Sequence, residues 1–195
     1  MIRNIWAVGR NYAEHAKELG NEVPTSPVIF LKAGSCATLA AETITLPDWS
    51  EDIHHEVELA LRFGKNLTID QGAIALDLTE RKKQSELKAK SLPWTLAKSF
   101  TDSCPLSNTF PVTNVKDLSN LKISLSINGE TKQDGSTSQM IFSIEALIDY
   151  VCKHFPVCEG DWLLTGTPSG VGPVKRGDKI QVTLEGKMEY NWNVK

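Results

Sequence analysis

The sequence predicts a mainly β domain of the α+β class. Short apolar runs of strand length recur along the whole chain of 195 residues, and many are bounded by glycine, proline or asparagine. Segments with helical spacing are few and do not alternate regularly with the strands, which argues against a fold built from βαβ units. The length suits one domain with a substantial core.

The predicted elements of the first half follow in order. Ile5–Val8 is a short apolar strand, and Asn11–Leu19 is a polar helical segment that stops at Gly20, a common residue after a helix C-terminus. Val28–Leu31 is a second apolar run of strand length. Ile53–Phe63 alternates apolar with polar residues over much of its length, which predicts one continuous strand.

The second half adds a charged helix, a hairpin and an amphipathic helix. Thr79 is a suitable N-cap for a helix that runs to about Lys90. The run Leu121–Ile127 places alternate apolar side chains on one face, and Asn128–Gly129 after it is typical of a hairpin turn. Ser143 precedes apolar residues at helical spacing, namely Ile144, Leu147, Ile148, Val151 and Phe155. The remaining predicted strands are Asp161–Leu164 and Lys179–Leu184.

Composition argues against several classes of function. The net charge of −3 offers no basic patch for nucleic acid, and no apolar stretch is long enough to cross a membrane. The first residues lack the apolar region of a secretory signal. The cysteines form no Cys-x-x-Cys pair, so we expect reduced thiols in a cytoplasmic or organellar-matrix protein; they are Cys36, Cys104, Cys152 and Cys158.

Two glutamates in the Ile53–Phe63 run indicate a metal site. Glu56 and Glu58 are two residues apart and therefore share one face of an extended strand. Neighbouring carboxylates resist ionising together, and a third, Asp77, ends another apolar run. Oxygen ligands suit a hard divalent cation such as Mg²⁺, Mn²⁺ or Ca²⁺. A solvated polar strand face is the alternative interpretation.

Two sets of residues have helical spacing and could contribute to a site, the first as one wall of a pocket. Asp77, Arg81 and Gln84 are four and three residues apart, so they point the same way if a helix begins near Asp77. His15 and Glu18 are three residues apart, and the carboxylate could orient the imidazole as a general base. A solvated helix face and a surface ion pair are the respective alternatives.

Two lysines and a glycine-rich segment are candidates for binding an anion. Lys98 lies in an apolar setting and Lys32 ends the run Val28–Leu31; each could contact an anionic substrate or extend to solvent. The segment Thr165–Gly172 could present backbone N–H groups and the Thr167 hydroxyl to an anion, or simply form a tight turn. It has neither a P-loop pattern nor a dinucleotide fingerprint.

Together these motifs resemble the fumarylacetoacetate hydrolase family. The resemblance is greatest to the short single-domain branch that contains acylpyruvases and oxaloacetate decarboxylases or tautomerases. It extends from about Ile5 to about Leu184. The segments that carry it are Val8–His15, Pro27–Lys32, His54–Leu59, Leu76–Thr79, Leu92–Phe100 and Leu164–Gly172.

The resemblance implies a fold and a set of roles. It implies a rolled, mainly β catalytic domain over residues 1–195, with a lid within residues 1–20, usually in a homodimer. Glu56, Glu58 and Asp77 match the family's ligands for Mg²⁺, with Mn²⁺ or Ca²⁺ as other options. The remaining matches are a catalytic dyad of His15 and Glu18, and substrate contacts at Arg81, Gln84, Lys98 and Thr167, where Lys98 also stabilises an enolate.

The resemblance further implies a small 2-oxo acid as substrate. Hydrolysis of an acylpyruvate through a pyruvate enolate is the first expectation, with oxaloacetate decarboxylation or keto–enol tautomerisation, or isomerisation of 2-hydroxyhepta-2,4-diene-1,7-dioate, as alternatives. Between Glu58 and Asp77 the chain is shorter than the family pattern, by about one helix of ~11 residues. A catalytically silent metal-binding module is therefore the alternative from another class.

Overall fold

The computed structural model describes residues 2–18, 20 and 22–195, and its architecture confirms the predicted mainly β fold class. The strands, in chain order, are β1 (Asn4–Gly9), β2 (Val28–Ala33), β3 (Ala37–Leu39), β4 (Thr43–Ile44), β5 (Ile53–His55), β6 (Val57–Phe63), β7 (Ile69–Leu76), β8 (Thr79–Glu80), β9 (Cys104–Leu106), β10 (Phe110–Pro111), β11 (Lys122–Ile127), β12 (Glu130–Ser136), β13 (Trp162–Leu164), β14 (Gly172–Pro173), β15 (Lys179–Leu184) and β16 (Met188–Val194). The helices are α1 (Ala13–Glu18), α2 (Arg81–Ala89), α3 (Thr95–Lys98) and α4 (Ile144–His154). Leu19, the predicted end of the first helix, lies outside the described residues.

The described strands form three sheets. The largest has the order β2-β1-β13-β6-β7-β9-β3, with β10 also paired to β7. The second has the order β12-β11-β15-β16-β4, and the small third sheet has the order β14-β5-β8. Because β1 pairs in parallel with β13, Ala7 lies opposite Leu164, and the segments that follow these two strands meet at one edge of the largest sheet.

The main core packs the two larger sheets against each other. Val57, Leu59 and Leu61 on β6 are at most 1% exposed and belong to the same buried cluster as Ile123 and Leu125 on β11. Both predicted apolar faces are therefore confirmed. Burying each leucine side chain contributes about 1.5–3 kcal/mol to folding. A smaller cluster that includes several alanines lies on the other face of β6 and β7.

The predicted continuous strand Ile53–Phe63 is wrong, because it breaks at Glu56. The part before the break, β5, pairs with β14 and β8, whereas β6 pairs with β13 and β7 in the largest sheet. Glu56 lies between the two ladders, and its carbonyl accepts a hydrogen bond from the Asp77 amide at 2.9 Å. The chain thus changes sheets at the residue whose side chain was expected to bind metal.

The predicted start of the charged helix is also displaced. Thr79 belongs to β8, where it pairs with His54, and its hydroxyl donates to the carbonyl of Asp77 at 3.1 Å. The N-cap is instead Glu80, whose carboxylate accepts from the Lys83 amide, and α2 begins at Arg81. Strand pairing in the third sheet prevents Thr79 from adopting the capping position.

The predicted hairpin and amphipathic helix are confirmed. Asn128 and Gly129 both have positive φ, 52° and 83°, which is typical of the turn that joins strands such as β11 and β12. The hydroxyl of Ser143 accepts from the Ala146 amide at 3.2 Å and caps α4. The fully buried residues of α4 are Ile144, Leu147 and Val151.

Two general properties of the chain follow from the described residues. All the cysteines are free thiols, with Cys36 and Cys104 buried and Cys152 and Cys158 half-buried. Within the ranges that the structure describes, none of the helices combines the length and apolarity needed to cross a bilayer.

Candidate active site

The polar residues singled out in the sequence gather around one cleft. It contains about 420 Å³ of space, part of which is open solvent. Of the predicted site residues, eight line this cleft and two, Glu18 and Lys32, do not. The eight are His15, Glu56, Glu58, Asp77, Arg81, Gln84, Lys98 and Thr167.

Three carboxylates form the buried end of the cleft. Each of Glu56, Glu58 and Asp77 is at most 5% exposed, and each offers an oxygen that lies within 4.8 Å of the other two. Glu56 occupies the break between β5 and β6, and Glu58 projects from β6. Asp77 directly follows β7, whose residue Leu76 pairs with Val57.

The short segment between Glu58 and Asp77 forms a compact hairpin. Strands β6 and β7 pair along their length and are joined by a single tight turn at residues 64–68. This pairing brings Asp77 next to Glu56, where their backbones share a 2.9 Å hydrogen bond. The shortening therefore does not prevent Asp77 from joining the carboxylate cluster.

Cations neutralise part of the cluster. Lys98 donates to Glu56 Oε2 at 2.8 Å and also contacts Asp77 Oδ2. Arg81 donates to the other oxygen of Glu56, Oε1, at 2.6 Å. Glu58 accepts from the backbone N–H of Gly166 at 2.6 Å. Among the described residues, no cationic side chain forms an ion pair with Glu58.

These contacts shift the pKa values in opposite directions. Burial opposes ionisation of Glu56, but Lys98 and Arg81 outweigh it and hold the pKa of Glu56 far below its usual range. Burial likewise opposes the charge of Lys98, but Asp77 and Glu56 raise the pKa of its ammonium. Burial, Asp77 and Glu56 together raise the pKa of Glu58 well above its usual value. Glu58 is thus the carboxylate with the least compensated charge.

Lys32 lies behind the cluster and does not face the cleft. Its side chain is 0% exposed, and its Nζ donates to Asp77 Oδ1 at 2.7 Å and to the backbone carbonyl of Lys98. The arrangement makes Lys32 a support for Asp77 and Lys98. The substrate contact predicted for it is not supported by this position.

Arg81 and Gln84 share a helix face as their spacing predicts, but Asp77 is not on that helix. Arg81 Nη1 donates to Gln84 Oε1 at 2.8 Å, one turn along α2. Asp77 reaches the same cleft from the end of β7, since β8 intervenes before the helix. The three residues therefore line the same cleft as expected, through a different local structure.

The predicted dyad lies on the first helix. His15 Nδ1 and Glu18 Oε2 are 3.2 Å apart, and His15 is 5% exposed. Glu18 also accepts from the backbone N–H of Gly170, at 3.1 Å and 3.3 Å to its two oxygens. This contact attaches α1 to the glycine-rich segment, and the carboxylate favours the tautomer of His15 that carries its proton on Nδ1.

Replacing Gly170 by alanine is expected to destabilise the protein by at least about 1–2 kcal/mol, because Gly170 has φ +95° and an added Cβ would lie 2.0 Å from the Lys132 carbonyl oxygen. Urea denaturation followed by circular dichroism measures the change. Gly177→Ala is the matched control, since Gly177 has φ +92° and nothing within 4 Å of an added Cβ. Equal losses in the two variants would contradict the role of the close contact.

Gln133 orients Thr167 and was not anticipated from the sequence. It is 0% exposed, and its Nε2 donates to Thr167 Oγ1 and to the Pro168 carbonyl, both at 2.8 Å. Its Oε1 accepts from the Val57 amide at 3.0 Å. Because the Thr167 oxygen accepts from Gln133, its hydroxyl hydrogen is available to donate into the cleft. A buried glutamine from β12 has no local sequence signal for this role.

Three further residues that line the cleft were also missed. Arg10 and Trp94 lie inside the motifs that carry the family resemblance, but no spacing rule marks them. Lys88 follows Gln84 by four residues and Arg81 by seven. That spacing keeps all three on one helix face and was sufficient to identify Lys88.

Comparison with known proteins gives a consistent result. The profile of one family, described as fumarylacetoacetate (FAA) hydrolase C-terminal, matches residues 4–195. Oxaloacetate tautomerase FAHD1, mitochondrial, of Bos taurus is 44% identical, over 98% of this chain and 91% of the relative. Oxaloacetate decarboxylase, mitochondrial, of Dictyostelium discoideum is 48% identical, over 94% of this chain and 89% of the relative.

A solved structure shares the fold. The crystal structure of fumarylpyruvate hydrolase from Pseudomonas aeruginosa, in complex with Mn²⁺ and pyruvate, superposes with a TM-score of 0.92 at 30% identity. The match covers 99% of this chain and 89% of that chain. The type of fold that the resemblance implies is therefore confirmed.

Proposed function

The chain belongs to the fumarylacetoacetate hydrolase family, and we propose that it interconverts the keto and enol forms of oxaloacetate and also decarboxylates it. The observation that carries this proposal is the buried carboxylate triad in the same cleft as the His15 imidazole. The relatives named for oxaloacetate reactions, at 44% and 48% identity, support it over acylpyruvate hydrolysis, which the sequence alone ranks first.

The triad suits a resident divalent cation. One oxygen from each of Glu56, Glu58 and Asp77 lies within 4.8 Å of the others, compatible with a single ion at Mg–O distances of about 2.1 Å. No cationic side chain among the described residues forms an ion pair with Glu58, so a bound cation would supply the positive charge that this carboxylate lacks. These residues would hold Mg²⁺ or Mn²⁺, with Ca²⁺ as a further option, and the Pseudomonas relative is a Mn²⁺ complex.

The chain's own residues supply the proton transfer. A bound cation would act as a Lewis acid on the 2-oxo group. His15 takes the proton from C3 of the keto form, and the electron pair of that C–H bond forms the C2=C3 double bond while the carbonyl pair moves onto the 2-oxygen. Return of the proton to that oxygen gives the enol. Glu18 positions the imidazole and stabilises its protonated form.

Donors around the cleft stabilise the enolate. Lys98 is positively charged and lies beside two of the triad carboxylates, and Thr167 has a hydroxyl hydrogen to donate. These groups are already oriented before negative charge develops on the 2-oxygen. Preorganised donors of this kind usually make the largest electrostatic contribution to catalysis. The same electron sink would serve decarboxylation, in which the C3–C4 bond supplies the electron pair and CO₂ departs.

Acylpyruvate hydrolysis is the second candidate. It is favoured by the likeness to fumarylpyruvate hydrolase at a TM-score of 0.92. His15 would then deprotonate a water that attacks the distal carbonyl, and the departing pyruvate enolate would use the same stabilising groups. A silent metal-binding module is disfavoured, since the hairpin delivers Asp77 to the cluster.

The domain organisation, the assembly and the cellular location are also proposals. We infer one catalytic domain that uses α1 as part of a lid, and a homodimer as its assembly. The two oxaloacetate relatives are mitochondrial, which favours an organellar matrix over the cytoplasm if the source is eukaryotic.

The test is a parallel assay of the three reactions. Freshly dissolved enol-oxaloacetate is mixed with the protein and Mg²⁺, or with EDTA, and loss of the enol absorbance is followed. Pyruvate in the same samples reports decarboxylation, and acetylpyruvate is assayed separately for hydrolysis. Magnesium-dependent loss of the enol band that outpaces pyruvate formation supports tautomerisation. Turnover of acetylpyruvate alone would overturn the proposal in favour of hydrolysis.

A further inference from the structure

Two cations in the cleft have no part in the proton transfer. Arg10 follows β1, and Lys88 lies on α2. Lys88 is seven residues beyond Arg81, about 10 Å along the helix axis. Since Arg81 contacts Glu56, Lys88 marks the end of the cleft that is farther from the triad.

Neither cation is neutralised by the protein. Among the described residues, no carboxylate forms an ion pair with Arg10 or Lys88, whereas Arg81 and Lys98 both contact Glu56. The Nε of Arg10 is buried and has no hydrogen-bond partner in the described part of the chain. A half-buried guanidinium with an unpaired N–H donor destabilises the protein unless a ligand accepts a hydrogen bond from it.

Lys88 is held over the cleft by an aromatic side chain. Its Nζ lies 5.4 Å from the centre of the Trp94 ring, which in turn packs edge-on against Phe30 at 5.7 Å. Burial lowers the pKa of Lys88, and the positive charges of Arg10, Arg81 and Lys98 lower it further. The positive charges of these four side chains therefore repel one another within the same cleft.

We propose that Arg10 and Lys88 form a subsite for the second carboxylate of a dianionic 2-oxo acid. The inference rests on the proposed function, which places the 2-oxo group at the cation that the triad would hold. A guanidinium presents paired donors to a carboxylate, and the ammonium adds a point charge. Lys32, Lys98 and Arg81 offset the charges of Asp77 and Glu56, and a bound divalent cation would offset that of Glu58, so Arg10 and Lys88 supply additional positive charge that suits a dicarboxylate.

The subsite also favours one oxaloacetate reaction over the other. Decarboxylation breaks the C3–C4 bond, moves its electron pair into the enolate and converts the C4 carboxylate into neutral CO₂. When Arg10 and Lys88 pair with the C4 carboxylate, they stabilise the negative charge that decarboxylation removes, and so they oppose that reaction. Tautomerisation moves only the C3 proton and leaves the C4 carboxylate charged, so the subsite binds the substrate without opposing the reaction.

The test uses Lys88→Met, which keeps packing on Trp94, and Arg10→Gln, with the exposed Lys82→Gln on the same helix as the control. Calorimetry with Mg²⁺ measures binding of two probes. One is 3,3-difluoro-oxaloacetate, which has no C3 proton to lose, and the other is pyruvate, which has no second carboxylate. The KM for oxaloacetate and the ratio of pyruvate formed to enol consumed are measured in parallel.

Each variant should weaken binding of the difluoro compound relative to pyruvate by about tenfold or more, raise the KM for oxaloacetate similarly, and increase the decarboxylated share. Lys82→Gln should change none of these ratios. The subsite would be overturned if the affinity for the difluoro compound relative to pyruvate were unchanged in both variants, or changed equally in Lys82→Gln. If the wild-type protein binds the difluoro compound through Arg10 and Lys88 but does not turn over oxaloacetate, the proposed function fails and the subsite stands.

Discussion

Replacing Glu58 by glutamine is expected to abolish Mg²⁺-dependent turnover of oxaloacetate and, at the same time, to raise the thermal stability of the metal-free protein. The loss of activity should be on the order of a thousandfold, because a Lewis acid contributes several kcal/mol to such reactions. The gain in stability follows from the environment of Glu58, since burial, Asp77 and Glu56 all disfavour its charge. The amide oxygen of glutamine can still accept from the Gly166 amide that now bonds Glu58 at 2.6 Å.

A loss of turnover combined with a gain in the stability of the metal-free protein distinguishes a metal ligand from a structural residue. Melting is followed in EDTA and in Mg²⁺, and the Mg²⁺-induced rise in Tm should disappear in Glu58→Gln. Because the pKa of Glu58 is raised in the folded protein, its carboxyl group destabilises the fold at pH values above its ordinary pKa, and this penalty is lost as the pH falls below that value. The stability advantage of the variant in EDTA should therefore shrink in acid.

The exposed Glu51 provides the control for this prediction. Glu51→Gln removes the same charge from the surface and should leave both turnover and the Mg²⁺-induced Tm shift unchanged. If Glu58→Gln kept wild-type turnover with Mg²⁺ and the full Tm shift, the carboxylate of Glu58 would not be a metal ligand.

Replacing His15 by alanine is expected to lower kcat for tautomerisation by about 10²–10⁴-fold while leaving the Mg²⁺-induced Tm shift intact. A positioned general base contributes a factor of that size. His15 is 5% exposed and lies in the same cleft as the triad, so water cannot replace it as an oriented base. Glu18→Gln should give a smaller loss, since it removes the charge that holds His15 and leaves the imidazole in place.

Proton exchange provides a direct measurement of the base. In D₂O, the wild-type protein should exchange the C3 hydrogens of oxaloacetate, as followed by NMR, and His15→Ala should not. His154→Ala, at the exposed end of α4, is the control and should exchange normally. Wild-type exchange by His15→Ala would show that another group moves the proton. Loss of exchange together with an unchanged Tm shift would rule out the silent metal-binding module for the wild-type protein.

Local sequence patterns identified much of the site. Alternation with period two predicted that Val57 and Leu59 face the core, and helical spacing predicted that Arg81 and Gln84 meet. His15 and Glu18 contact each other for the same reason. Such pairs are predictable because the repeat of a helix or strand alone determines which side chains are neighbours.

Contacts between distant segments were decided by the tertiary structure. The chain leaves one sheet for another at Glu56, and Lys32 lies behind Asp77, 45 residues away in sequence. Gln133 orients Thr167 across a separation of 34 residues. No local pattern encodes these contacts, because each depends on how segments far apart in the sequence are arranged in space.

By itself, the sequence determined the class of the fold, the apolar faces of its strands and the residue types needed for metal and acid–base chemistry. The tertiary structure alone decided which charges compensate each other, since Lys98 and Arg81 neutralise Glu56 and leave Glu58 without a paired cation. It also left Arg10 and Lys88 without a paired carboxylate among the described residues. The physical reason is that electrostatic interactions depend on distance and burial in space, which residue spacing along the chain does not specify.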